Sequence, residues 1–213
     1  GENKQGIYAR RYNANGISLG PAFRVDTPVL FGSDIEEVRP DIAMDGNGNF
    51  VVVWEARNTV TNEDNIHGQR FDNNGNKIGD RFTVNTNTDE IRNNPAIAMN
   101  QEGDFVVVWA SNQNLPTIFD IYGQYYQEDG TREGGEFTVN EFLTNNQSDP
   151  AVAMNLSGAY TVVWSSLNQD GSSGGIFGQR YNSENQPLGN DFQVNTYTIN
   201  AQIYPAIDMD NEG

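Results

Sequence analysis

Phe50-Val51-Val52-Val53-Trp54 decides how this chain folds, because the same stretch returns as Phe105-Val106-Val107-Val108-Trp109 and again as Tyr160-Thr161-Val162-Val163-Trp164. The interval is 55 residues both times. Nearly every residue in it is β-branched or aromatic, and a glycine (Gly48, Gly103, Gly158) stands two positions upstream. Such a run predicts a strand buried on both faces. A fixed period of this length predicts a repeat architecture.

Three further motifs keep the same order. The first is Ile7-Tyr8-Ala9-Arg10-Arg11-Tyr12, matched by residues 66–71, 121–126 and 176–181, where Gly-Gln occupies the centre (Gly68-Gln69, Gly123-Gln124, Gly178-Gln179). The second is Phe23-Arg24-Val25 and its counterparts at Phe82, Phe137 and Phe192. The third is Pro40-Asp41-Ile42-Ala43-Met44, matched by residues 95–99, 150–154 and 205–209. Asn15-Gly16, Asn74-Gly75, Asp129-Gly130 and Glu184-Asn185 separate the first motif from the second, as hairpin turns do. Each motif has strand length and no window sustains helical periodicity, so one period makes four short antiparallel strands.

Tandem four-stranded units predict an all-β fold, a β-propeller of four-stranded antiparallel blades. A β-sandwich has no reason to repeat at this interval, and β-helix coils are much shorter. Residues 1–213 read as a single propeller or part of one, with full blades at about 40–84, 95–139 and 150–194 and a split, incomplete blade from 7–25 and 205–213. The alanine-rich third motif fits the crowded innermost strand, with proline at its first residue, where no ladder hydrogen bond is lost. The 11 residues after each tryptophan read as a loop of constant length and free sequence.

The succession Gly-Gln-Arg-Phe, Val-Asn-Thr (Val84-Asn85-Thr86, Val194-Asn195-Thr196), Pro-Ala-Ile-Ala-Met and Phe-Val-Val-Val-Trp resembles repeats of large secreted bacterial and cyanobacterial surface proteins. The resemblance covers essentially the whole chain. It implies a propeller with an extracellular or cell-surface location in a bacterium, an adhesive or matrix role, and an association with calcium-binding RTX repeats. No Gly-Gly-x-Gly-x-Asp nonapeptide is present, so calcium follows from that association alone. Ala9-Arg10 in place of Gly-Gln, His67 in an aromatic slot, and Asp41 and Asp208 in alanine slots depart from the pattern.

Charge narrows the partners. With 29 Asp and Glu against 12 Lys and Arg, the net charge is −17, which repels phosphate backbones and anionic lipid. Nucleic acid and direct membrane insertion are therefore not expected, and no apolar run reaches the roughly 18 residues of a spanning helix. Cysteine is absent, which excludes disulfides and thiolate metal sites. An export signal, if the protein has one, is expected to have been removed already.

Comparing the copies supplies a filter: what every blade carries serves the fold, and what one blade carries alone can serve a site. The tryptophans stand at identical phase and read as core rather than sugar platforms. Gln69, Gln124 and Gln179 read as backbone hydrogen-bonders between strands. His67 is the sole histidine, so a zinc site or a Ser-His-Asp triad lacks its partners. The adjacent acids Glu36-Glu37, Glu63-Asp64 and Asp89-Glu90 read as solvated surface rather than a glycosidase pair.

Loop residues pass the filter. The connection from Asp26 to Arg39 is four residues longer than its counterparts and offers Phe31, Asp34 and Glu36 as ligand contacts, or packs down on its own side chains. Leu115 and Phe119 are contacts in the second connection. In the third, the glycine-flexible segment around Asp170 suits either an ordinary turn or calcium, a hard ion taking about six to eight oxygens. Asp41 and Asp208 are expected to face the axial channel and share water or a cation, which makes Asp170, Asp41 and Asp208 the metal candidates. With no catalytic constellation in view, the expected function is a non-enzymatic binding or adhesion module presenting loops to glycans or proteins. A purely structural spacer and a hydrolase of extracellular polysaccharide stay open as alternatives. The Val-Val-Trp strand occurs three times against four copies of the other motifs, so its fourth place is expected to be filled by more of a longer protein or by a strand of another chain.

Overall fold

The computed structural model describes residues 6–26, 35–61, 63–115, 117–211 and 213, the side chains of residues 114 and 115 excepted. Fourteen strands run through the described residues, with no helix: β1 (Tyr8–Ala9), β2 (Phe23–Arg24), β3 (Ile35–Met44), β4 (Phe50–Asn58), β5 (Asp64–Phe71), β6 (Lys77–Thr83), β7 (Arg92–Met99), β8 (Phe105–Leu115), β9 (Ile118–Tyr126), β10 (Arg132–Thr138), β11 (Gln147–Met154), β12 (Tyr160–Ser166), β13 (Gly175–Tyr181) and β14 (Phe192–Gln193). They form three antiparallel sheets in sequential order, β3 to β6, β7 to β10 and β11 to β14, and a two-stranded ribbon of β1 and β2. This is a β-propeller of four-stranded blades.

Packing between blades explains the unbroken apolar run. Phe105, Val107 and Trp109 of β8 meet Val51 and Val53 of the preceding sheet, while Val106, Val108 and Ala110 meet Tyr160, Val162 and Trp164 of the following one. All three tryptophans are fully buried, in agreement with the core reading. Rings stack across each ladder, Phe105 on Tyr126 at 4.7 Å and Tyr160 on Tyr181 at 4.6 Å between centroids.

The glycine of Gly-Gln has a steric cause. A Cβ added at Gly123 would stand 2.6 Å from the ring of Phe137, which lies across the strand, and Gly68 and Phe82 repeat the arrangement. Gly123→Ala is expected to cost about 1–3 kcal/mol, because the ring must leave its seat. Urea denaturation checks this, and an unchanged midpoint would show that Phe137 has room to move. The glutamine beside it bonds as the sequence implied: Gln124 Nε2 donates to the Tyr125 and Glu133 carbonyls at 2.9 and 3.2 Å, and Gln69 and Gln179 do the same in their own sheets. The asparagine of Val-Asn-Thr accepts from the amide that opens the first motif, Asn85 from Ile66 at 2.8 Å and Asn195 from Ile176 at 2.6 Å, with Asn140 serving Ile121 at 2.6 Å and Asp26 serving Ile7 at 2.9 Å.

Three expectations need correction. In the first two full blades the residues after the tryptophan are largely hairpin arms and not loops, since β4 continues to Asn58 and β8 to Leu115, with Glu55 and Ala56 buried, whereas in the third residues 167–174 do form a loop between β12 and β13. The motif proline does not begin the inner strand. β3, β7 and β11 start upstream of it, and the register shifts between Val38 and Asp41, Asn93 and Ala96, Ser148 and Ala151, so the proline sits at a bulge that needs no ladder hydrogen bond. Lastly, residues 205–209 form no strand. Their counterparts are held by a Val-Val-Trp neighbour, which no described residue provides here.

Candidate functional site

The proline bulge builds the site. Arg39, Asn94, Asp149 and Tyr204, each preceding a motif proline, all take left-handed backbone conformations, with φ of 49°, 52°, 52° and 59°. Non-glycine residues seldom adopt such angles, and holding one there costs on the order of 1–3 kcal/mol. Three copies of the bulge and the matching residue before Pro205 bring these residues and Asp41 around one open cavity of about 360 Å³.

Hydrogen bonds tie the mouth together from blade to blade. Asp41 Oδ2 accepts from the Ile97 amide at 2.9 Å, and Asn94 Nδ2 donates to Asp149 Oδ1 at 3.0 Å. Ser148 Oγ holds the other oxygen of Asp149 at 2.8 Å. The residue after the tryptophan serves the amide of the next blade's bulge: Glu55 receives Asn94 N at 3.4 Å, and Ser165 Oγ receives Tyr204 N at 3.1 Å. Glu55 has a wholly buried side chain and is balanced by Arg39 and Arg57, each at 2.7 Å.

A second group of acids lies on the first full blade. Glu37 is buried and 3.8 Å from Arg81, and desolvation pushes its carboxyl up to about 7, with Trp54 and Arg81 opposing that rise. Asp64 is likewise held above the ordinary carboxylate range, by burial and by the Glu55 charge. The solvated-surface reading of Glu36-Glu37 and Glu63-Asp64 is therefore corrected in one member of each pair, since strand alternation on β3 turns Glu37 inward and leaves Glu36 exposed, while Asp64 is buried at the start of β5 and Glu63, just before it, is exposed. His67 is lowered to about 4 by burial and by Arg81, so it is neutral near pH 7 and serves the core beside Trp54.

The residues singled out from sequence are scattered. Phe31 and Asp34 lie outside the described residues. Glu36 is exposed on β3, Leu115 ends β8 opposite Ile118, and Phe119 packs half-buried against the core of the second and third full blades. Asp170 is half-buried and accepts from the Ser172 amide at 3.0 Å, an ordinary turn contact. Asp208 accepts from the Met209 amide at 2.9 Å. Of the metal candidates only Asp41 lines the mouth, and among the described residues no group of three or more His, Asp or Glu stands close enough to hold a metal ion. Arg39, Asn94, Asp149 and Tyr204 were missed, although one signal marks them: beside a proline present in all four copies, each copy carries a different residue.

No protein-family model matches the chain, and no curated protein does. Solved structures do match in fold. An α-L-arabinanase from Penicillium chrysogenum complexed with arabinobiose aligns with a TM-score of 0.52 at 16% identity, over 81% of this chain and 48% of that one. An α-L-arabinofuranosidase from Fusarium graminearum in complex with an iminosugar inhibitor gives 0.53 at 11% identity, over 81% and 55%. An N-acetylgalactosamine deacetylase from F. plautii in complex with blood group B trisaccharide gives 0.54 at 9% identity, over 89% and 60%. The chain thus spans about half of each of these structures and shares their all-β fold.

Proposed function

We propose that the mouth of this propeller binds extracellular glycan. One observation carries the reading: four equivalent backbone positions, converging on a single cavity, hold a guanidinium, an amide, a carboxylate and a phenol. Identical scaffolding with different polar groups is how a fold supplies specific contacts. Arg39 and Asn94 donate, Asp149 accepts, and Tyr204, 73% exposed, offers a ring to the apolar face of a sugar. The sugars held by the arabinanase and the deacetylase support a carbohydrate ligand, and the repeat resemblance supports a bacterial surface location.

A hydrolytic reading draws on the same neighbours, together with the two carboxylates, Asp41 and Asp149, in the cavity lining. It would use them as the acid and base, or acid and nucleophile, of glycosidic cleavage. Titration of the isotope-labelled chain with arabino-oligosaccharides, followed by NMR, tests the binding reading. Saturable shifts at Asn94, Asp149 and Tyr204 are expected, weakened about two- to tenfold in Tyr204→Ala, the worth of a lost stacking contact. Absence of shifts with these and with a panel of other oligosaccharides would overturn it. Reducing ends released from arabinan, and lost in Asp149→Asn, would establish cleavage over binding alone.

A further inference from the structure

The face that β3 and β4 turn toward the ribbon is half covered, and the repeat shows what completes it elsewhere. Ile42 occupies the slot of Ile97, yet Ile97 is 5% exposed and Ile42 is 51% exposed. Met44 shows the same contrast with half-buried Met99. Ile97 is covered by Val51 and Val53, the two inward valines of the preceding sheet's Val-Val-Trp strand. Between Ile42 and the ribbon no described strand takes that place.

The ribbon lacks the same neighbour. β5, β9 and β13 each pair with a Val-Val-Trp strand on one edge and with the outermost strand on the other, whereas among the described residues β1, their counterpart, pairs with β2 alone. Along its free edge run two cavities of about 260 and 290 Å³. Ala9, Arg10 and Ile42 line both, Tyr12 and Phe50 the first, and Val52 the second.

We propose that this groove is a docking slot for an extended polypeptide strand of aromatic-Val-Val-Val-Trp character, lying antiparallel to residues 7–12. The register follows from the intact sheet, where Phe50 faces Phe71 and Trp54 faces His67. The incoming aromatic residue therefore stands opposite Tyr12 and the tryptophan opposite Tyr8, while the second and fourth residues descend onto Ile42 and the β4 face. Main-chain hydrogen bonds to the free edge supply affinity, and the two valine seats supply specificity. The groove continues the packing that joins the other blades, which is why a strand of the same repeat fits it. A second folded copy has none to lend, since β4, β8 and β12 are enclosed within their own sheets.

The test adds a synthetic peptide of residues 103–113 to the intact chain. One-to-one saturable binding is expected, with amide exchange in residues 7–12 slowed at least about tenfold. The melting temperature should rise by about 5–10 °C at a hundredfold excess over Kd. Peptide carrying Val106→Asp and Val108→Asp should not bind. Nor should wild-type peptide bind the Ile42→Asp chain, which folds normally because that side chain is half exposed. Absence of binding to the wild-type chain, binding indifferent to Ile42→Asp, or a dimer formed through residues 7–12 in place of peptide capture would each overturn the proposal. Sugar binding at the mouth is read separately and does not depend on this edge.

Discussion

Trp109→Ala is expected to lower the unfolding free energy by about 3–5 kcal/mol, among the largest single losses available in this chain. The indole is wholly buried within a cluster that holds Val51, Val53 and Ile66 of one blade and Tyr122 of its own. Its removal leaves a void between two sheets whose backbones are fixed by their ladders, so the walls can relax only partly. Tyr122, centred 6.5 Å from the indole, also loses its ring neighbour. Urea denaturation with an unchanged m-value measures the loss. A cost under about 1 kcal/mol would place the ring outside the core and return the sugar-platform reading of the tryptophans.

That the architecture could be read from sequence and the site could not has a physical reason. A strand enclosed by two blades must be apolar on both faces, so residues 50–54 declare themselves, and repetition multiplies the signal. The roles of Gly123 and Gln124 are equally local, because their partners lie on the adjoining strand. Mouth chemistry depends instead on contacts between blades. Nothing near Asn94 in the sequence announces that Glu55 will receive its amide or that Asp149 will receive its side chain. The left-handed angle before each proline was also hidden, since proline ordinarily steers its predecessor toward extended backbone. Taking the connections after the tryptophans for loops concealed Glu55 as well, whose wholly buried side chain belongs to a hairpin arm.

Through Glu37 the chain should lose stability as pH rises from about 4.5 to about 7, against an opposing gain from His67, whose folded imidazole is lowered to about 4, so the Glu37 share is read as the difference between wild type and Glu37→Gln. Burial favours its protonated form, so the folded carboxyl titrates above the unfolded one. At this site the folded state accordingly binds more protons than the unfolded state across that window, and the stability present below it is lost as the acid ionises. Arg24 and Arg81 temper the rise, while the charge of Asp26 adds to it. The contribution is on the order of 1–3 kcal/mol, after allowance for partial screening by these charges. The repeat names the variant to make. Glu37 stands three residues before its proline, where two other copies carry Gln147 and Gln202. Those amides donate to carbonyls of the segment leading into the inner strand, Gln147 to Phe142 at 3.2 Å and Gln202 to Ile199 at 3.1 Å. A neutral acid can imitate such a donor, and a carboxylate cannot. Glu37→Gln should therefore melt close to wild type at pH 4.5 and several degrees higher at pH 8, so that the gap between the two proteins opens as pH rises. Equal melting temperatures for the two proteins at pH 8 would show that Glu37 ionises there without penalty, and the buried-acid assignment would fail.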